Sequence, residues 1–365
     1  MKHNWEYQPF KDIASLITPR IKVDKSEYMH EGLVPIISQE ESYISGYWDN
    51  LNDITPHNGP VVIFGDHSRV LKYVDCDFVV GADGVKIISP KDCICAKFLY
   101  HFLKWYNIPS LGYSRHFKLI KEATFPLPHM ALQQQIVAEF DKINETIDDC
   151  RELLRNLDTL AQSLFYDFFG DPITNPKSWE VKKLGKLLDV RDGTHDSPKY
   201  VIDGIPLITS KNLSRGYVDF DNANLISIDD ANFIDFRSRV DIGDILMPMI
   251  GTIGNPVINL SNKRFCIKNV ALIKFQGYDI SNKYILYILK SNLFLQYIKY
   301  NNKGVSQKFL SLKLLREFAL PVPPLPLQEK FAERIEAIEA QKKAVEQTIA
   351  ELQTLLDSRM DYWFN

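Results

Sequence analysis

Pro126-Leu127-Pro128-His129-Met130-Ala131-Leu132-Gln133 opens a stretch of 45 residues that returns 195 positions later, without a gap, as Pro321-Val322-Pro323-Pro324-Leu325-Pro326-Leu327-Gln328. The first copy ends at Gly170 and the second at Asn365; Ile143/Ile338, Leu157/Leu352, Thr159/Thr354, Ser163/Ser358 and Phe169/Phe364 are among the identical pairs. A repeat of this kind decides the architecture before any motif is sought. In the first copy the apolar positions are Leu132, Ile136, Phe140, Ile143, Ile147, Cys150, Leu154, Leu157, Ala161, Leu164 and Phe168. In the second, Leu327, Phe331, Ile335, Ile338, Lys342, Val345, Ile349, Leu352, Leu356, Arg359 and Trp363 keep the same phase. Steps of four and three are the signature of helices packed along their length. Each helix is expected to run for about 36 residues, roughly 54 Å, and to cover its stripe with the other helix in an antiparallel coiled coil. The charged flank of Glu333, Glu336, Glu339, Lys342 and Lys343 is left to solvent or a partner. Pro126, Pro128, Pro321, Pro323, Pro324 and Pro326 block helix upstream.

Working outward, the chain divides into a globular segment 1–125, a helical spacer 126–170, a second globular segment 171–320 and a second spacer 321–365. Its 365 residues are too many for one ordinary core. Both globular segments read as mixed α/β with short strands. Pro60–Phe64 and Phe78–Val80 are strand-like in the first, with a helix over Lys97–Trp105. Gly204–Thr209, Ile245–Ile250 and Ala271–Phe275 are strand-like in the second, with a helix over Tyr284–Tyr297. Gly112-Tyr113-Ser114-Arg115-His116-Phe117 parallels Gly304-Val305-Ser306-Gln307-Lys308-Phe309, each followed by a short amphipathic element. Beyond that the two segments share no obvious identity, which suggests a constant frame holding two different readers.

An apolar content of 45% and a charged content of 24% are those of a folded, soluble protein. Met1–Lys11 lacks an apolar core for a secretory signal, and no apolar run reaches the roughly 18 residues of a membrane span. Five scattered cysteines, Cys76, Cys93, Cys95, Cys150 and Cys266, suit a reducing cytoplasm. The Cys93-x-Cys95 pair has no second pair or histidine cluster beside it, so no metal site is expected. Residues 172–320 carry 21 basic and 14 acidic side chains, a net of +7, whereas residues 1–125 carry 14 and 15. The helical stretches are acidic. Positive charge concentrated in one segment permits a polyanionic partner there.

The combination resembles the specificity subunit of type I restriction–modification systems, and the resemblance covers the whole chain. It rests on the proline-led Leu132-Gln133-Gln134-Gln135-Ile136 and Leu327-Gln328-Glu329-Lys330, and on the bridge Phe168-Phe169-Gly170-Asp171-Pro172 through Asn175-Pro176 to Trp179-Glu180. Asp192-Gly193-Thr194-His195, Gly243-Asp244-Ile245-Leu246 and Gly251-Thr252-Ile253-Gly254 are family-like words in the second segment; Gly65-Asp66 and Gly81-Ala82-Asp83-Gly84 are similar in the first. Family helices often begin Glu-Gln, where this chain has Gln133-Gln134 and Gln328-Glu329.

The resemblance implies a non-catalytic DNA reader. Each globular segment would be a target-recognition domain for half of a split double-stranded target, with the helices setting the spacing. It also implies two methylation subunits, which would use S-adenosylmethionine on a flipped adenine, and a nuclease/translocase subunit using ATP and magnesium. This chain itself would bind no cofactor. No G-x-x-x-x-G-K-[ST] loop and no Pro-Pro-aromatic methyltransferase motif is present, and Glu180-Val181-Lys182 has no acidic partner suited to a nuclease.

Candidate DNA contacts are polar loops interrupted by basic or aromatic residues. They are Arg69 after Gly65-Asp66, then Ser114, Arg115 and His116, then Thr194, His195, Lys199 and Tyr200. Lys211, Asn212 and Arg215 follow, and Ser306, Gln307 and Lys308 complete the set. Three other readings stay open: a recognition subunit whose partner fuses methylation and cleavage, a self-contained enzyme with a dimerising helical arm, and a helical scaffold without base preference.

Overall fold

The computed structural model describes residues 5–112, 114–250, 255–301 and 309–365, in two compact units. The first comprises Met1–Leu153 with Val345–Asn365, and the second Leu154–Ala344. The chain passes between them only inside the two long helices, Met130–Phe169 and Leu325–Phe364. Both helices have 40 residues, a few more than the apolar stripe requires.

The first unit holds an antiparallel sheet in the spatial order Ala14–Ile17, Val85–Pro90, Val61–Gly65, Leu71–Val74. In a second sheet Val34–Ile37 pairs antiparallel with Gly46–Trp48 and parallel with Val79–Gly81, which is flanked in turn by Lys22–Val23. The second unit repeats the plan. Val190–Asp192, Val270–Ile273, Ile245–Pro248 and Val257–Ile258 form the antiparallel sheet in the same order. Ile205–Ile208 pairs antiparallel with Asn224–Ile226 and parallel with Cys266–Ile267. Only the fourth strand moves: Tyr200–Val201 lies on Asn224–Ile226, and the parallel pairing of Lys22–Val23 shrinks to a bridge between Thr194 and Lys268. The second unit also has a helix, Ile228–Ser238, where the first has a short turn at Leu51–Asp53. The two readers are thus one fold twice, not the divergent domains their sequences suggest.

Each long helix is preceded by a strand that holds one of the expected prolines, Pro126 or Pro321, with Pro128, Pro323 and Pro324 between strand and helix. Thr124–Leu127 pairs with Glu6–Pro9 and Ala319–Val322 with Glu180–Lys183, closing each domain on its own start. Pro326 does not lie upstream of the second helix but in its first turn, where a missing N–H costs nothing. The first helix ends because Gly170 takes φ +78° and donates its N–H to Tyr166 O.

The helices run antiparallel within each unit. In the first, Glu139 accepts from the Arg359 guanidinium and from Trp363 Nε1 at 3.0 Å. In the second, Lys342 pairs with Asp158 at 2.8 Å and Phe331 packs on Phe165 and Phe169. The apolar stripe drifts by one residue at its ends. Phe165 and Phe169 are buried where Leu164 and Phe168 were expected, and Met360 and Phe364 where Arg359 and Trp363 were expected. Burying a phenylalanine is worth about 1.5–3 kcal/mol, so the rings take the core and Arg359 the rim. The Arg359 hydrogen bond holds the Glu139 carboxyl below its usual range, against the opposing effect of burial. Glu139→Gln is expected to lower the first unit's stability by about 1 kcal/mol at neutral pH, because water screens the pair. The gap between variant and parent in thermal melts should close as pH falls through the glutamate range, where both side chains are uncharged.

A domain helix docks on each long helix through one repeated device. The buried Gln133 accepts the Cys95 N–H at 2.8 Å and donates to Cys93 O and Pro128 O. Cys95 is the N-cap of Ala96–Tyr106. Gln328 likewise accepts the Ser281 N–H at 2.9 Å and donates to Pro323 O, and Ser281 caps Asn282–Lys290. About two turns further along each long helix, Lys97 pairs with Asp141 and Lys283 with Glu336. The helix expected over Tyr284–Tyr297 is two, Asn282–Lys290 and Asn292–Asn301, parted at Ser291, whose hydroxyl donates to Ile288 O.

Candidate nucleic-acid interface

Three chain segments meet at the same end of the frame in each unit: those following the central strand of the second sheet, the third strand of the first, and the parallel strand. In the second unit Tyr200, Thr209, Ser210, Lys211, Ser214, Asn224, Ile250, Lys268 and Asn269 line a groove there. In the first unit the corresponding groove is lined by Gln39, Glu40, Glu41, His67, Ser68, Val70 and Gly112. The correspondence reaches the backbone. Ala82 and Asn269 both have a positive φ, 45° and 53°, and each stands two residues beyond the last residue paired with the central strand, Val80 and Ile267. Ala82 N–H donates to Val23 O as Asn269 N–H donates to Thr194 O. Gly193 lets these segments approach: a Cβ there would stand 2.1 Å from Ile267 O.

The grooves differ in charge. Lys211 and Lys268 line the second, and the Lys268 ammonium is held by Ser197 Oγ at 2.6 Å. Glu40 and Glu41 line the first, with Glu40 paired to Lys25. Beneath that groove the buried Lys72 donates to Ser42 O, and burial lowers its affinity for the proton. Tyr43 donates to Tyr73 O at 2.9 Å, and burial pushes its hydroxyl up to about 12.

Of the residues expected at the interface, Tyr200 and Lys211 lie in the second groove and Lys199 is exposed beside Tyr200. The Thr194 backbone bridges Lys268, and the His195 ring bonds Asn269. Arg215 is exposed, with Nη1 donating to the Tyr217 hydroxyl at 3.3 Å. In the first unit Ser114 and Arg115 are exposed, and Arg69 donates to Ile108 O at 3.0 Å.

Two expectations are corrected. His116 is 1% exposed; its Nε2 accepts from Leu111 N–H and its Nδ1 donates to Asp66 O, so it ties Leu111 to the end of the sheet strand. Asn212 is buried too, its oxygen accepting from Thr209 and its amide donating to Asp219 O. Neither side chain has a polar group left for a ligand. The parallel between Phe117 and Phe309 also shifts. The closing helices are Phe117–Glu122 and Leu312–Glu317, so Leu312 is the counterpart of Phe117. Ser306, Gln307 and Lys308, with Gly304 and Gly251–Gly254, lie outside the described residues.

Lys268, Asn269, Asn224 and Gln39 escaped the sequence reading. The available signal was an asparagine directly before the apolar run Val270–Ile273, since asparagine tolerates a left-handed backbone. Among the described residues no cluster of His, Cys, Asp and Glu could hold a metal ion, and no helix is long and apolar enough to cross a membrane. Glu180 and Lys182 pair with each other on a strand, at 2.7 Å.

The model of the type I restriction modification DNA specificity domain matches residues 2–157 and again 176–354. The MjaIX specificity subunit of Methanocaldococcus jannaschii is 24% identical over 283 residues, covering 68% of this chain and 63% of that protein. The EcoBI specificity subunit of Escherichia coli is 22% identical over 385 residues, covering 94% of this chain and 77% of that one. The crystal structure of the type I restriction–modification S subunit from M. genitalium matches 98% of this chain and 96% of its own, with a TM-score of 0.62 and 15% identity. A chain from a study of complex assembly and conformational transition in a type I system matches 99% of this chain, with a TM-score of 0.58 and 17% identity. The low identities speak to the fold, and the two domain matches to the family, whose business is DNA recognition and not catalysis. The chain belongs to the type I restriction–modification DNA specificity family and carries the family's domain twice.

Proposed function

We propose that each groove reads one half of a bipartite double-stranded DNA target, and that the long helices set the spacing between the halves. The observation that carries this reading is one backbone corner, built twice and lined by different side chains. An invariant frame with unlike linings suits two unlike base sequences. Lys199, Lys211, Lys268 and Arg215 supply cations for phosphates around the second groove. Arg115, Lys25 and Lys86 do so around the first, whose Glu40 and Glu41 accept from base amino groups. The exposed acidic flanks of the helices serve as docking surface for two methylation subunits, to which a nuclease/translocase joins. S-adenosylmethionine, ATP and magnesium belong to those partners.

Selection from duplexes randomised over two windows, with a varied gap between them, tests the reading. Seven residues inserted in both long helices, after Leu153 and after Ala344, add about 10 Å of helix, or about three base pairs. The expected outcome is a longer tolerated gap with both half-sequences unchanged. An unchanged gap would remove the helices as the spacer; absence of any base preference in the parent would remove DNA reading altogether.

A further inference from the structure

We infer that Asn269 is a base-reading residue of the second groove and that His195, held by Asp192, is a positioning residue that decides which end of the Asn269 amide faces DNA. The inference rests on the proposed DNA-reading role of the groove and names one of its determinants.

Asn269 lines the groove on a backbone fixed at φ 53°, its N–H donating to Thr194 O and its carbonyl accepting from Met249 N–H. Its side-chain oxygen lies 2.9 Å from His195 Nδ1. The other ring nitrogen, Nε2, lies 2.9 Å from Asp192 Oδ2. The Asp192 carboxylate is only 7% exposed and has Arg237 against its second oxygen. The ring thus spans the gap between the Asp192 carboxylate and the Asn269 amide oxygen, with Nδ1 as the group that faces that oxygen.

The consequence lies in the amide. An unconstrained asparagine offers one acceptor and one donor, the pattern that fits adenine N6 and N7 in the major groove. With its oxygen capped by His195, Asn269 offers its NH₂ group. That group fits the keto edges, guanine O6 or thymine O4, and opposes the amino groups of adenine N6 and cytosine N4. The first groove has alanine at the corresponding place, with the same backbone twist and nothing to present. The effect is therefore confined to the half-site of the second domain.

The test is selection from the doubly randomised duplex library with the full chain, alone and with its methylation partners, for the parent and three variants. Asparagine, aspartate and glycine all accept a left-handed backbone, so Asn269→Asp and Asn269→Gly keep the fold. In the parent, one position of one half-site should favour guanine or thymine by about tenfold. Asn269→Gly should erase that preference alone. Asn269→Asp, which presents only acceptors, should reverse it towards cytosine or adenine. His195→Ala should admit adenine at that position while every other position holds. A parent preference that survives Asn269→Asp unchanged would overturn the assignment. Equal weakening on all sequences by His195→Ala would reduce that residue to a structural prop and overturn its positioning role. A parent without base preference in either half would instead sink the DNA-reading function, an outcome visible without any variant.

Discussion

Gln133→Leu is expected to lower the stability of the first unit by about 3 kcal/mol, although leucine is close to glutamine in size. The amide is fully buried and serves three backbone groups: the Cys95 N–H and the carbonyls of Cys93 and Pro128. Leucine restores the volume and none of the bonds. A buried N–H left without an acceptor costs about 1–3 kcal/mol by itself, and the two carbonyls add smaller amounts. Cys95 starts Ala96–Tyr106, so the loss falls on the attachment of that helix to the long one. Amide hydrogen exchange should accelerate over 96–106 and stay unchanged over 282–290. Gln328→Leu should do the converse, and by less, because Gln328 serves two backbone groups. Equal exchange in variant and parent would show that the aromatic packing alone holds the helix.

The second large effect is a loss of stability in mild acid. His101 is 3% exposed and packs on Phe140, with Nε2 3.3 Å from Asp141 and a buried Nδ1 that has no partner. Burial lowers its pKa to about 4, against the pull of the Asp141 carboxylate. In the unfolded chain it protonates near the ordinary histidine value of about 6.5. Between those values the unfolded state binds the extra proton, so stability rises with pH and is fully present above about 6.5. Acidification from there towards about 4 is expected to remove roughly 3 kcal/mol from the first unit. Urea titrations at a series of pH values would show it. His101→Phe keeps the ring contact with Phe140 and should flatten the profile over that interval. A profile as steep in the variant as in the parent would shift the cause to other groups. Tyr287 stands at the matching place on Asn282–Lys290, and burial raises its pKa still further from this range, so the second unit lacks the effect.

Leu-Gln after a proline cluster, seen twice, was enough to locate both long helices and their pairing, because a heptad stripe is a local periodicity. Its ends misled by one residue, since nothing local says that Phe169 outcompetes Phe168, or Phe364 outcompetes Trp363, for a core built by the domain helix. The sheets were less legible. Strands of two to six residues, such as Cys266–Ile267 and Val85–Pro90, carry too little pattern to reveal a shared order, and that order is set by long-range pairing. The groove was half legible for the same reason. Tyr200 and Lys211 sit in loops with recognisable polar composition, whereas Lys268 and Asn269 matter because a parallel strand delivers them to the same corner. His116 and Asn212 misled because a polar side chain that satisfies the backbone looks, in sequence, like one offered to a ligand.

The terminal phenylalanine of each long helix has a hereditary consequence. Phe364 closes the core of the first unit against Phe98 and Phe140, and Phe169 closes that of the second against Tyr284 and Phe331. Each unit is sealed by the helix that belongs, in sequence, to the other's repeat. The same glutamine, the same proline lead-in and the same closing ring stand at matching places in both repeats, whereas the buried pairs Ile136/Phe331, Phe140/Ile335 and Ala161/Leu356 differ in size, so an exchange of readers keeps these seals only where each reader brings the core positions of its own half-helix.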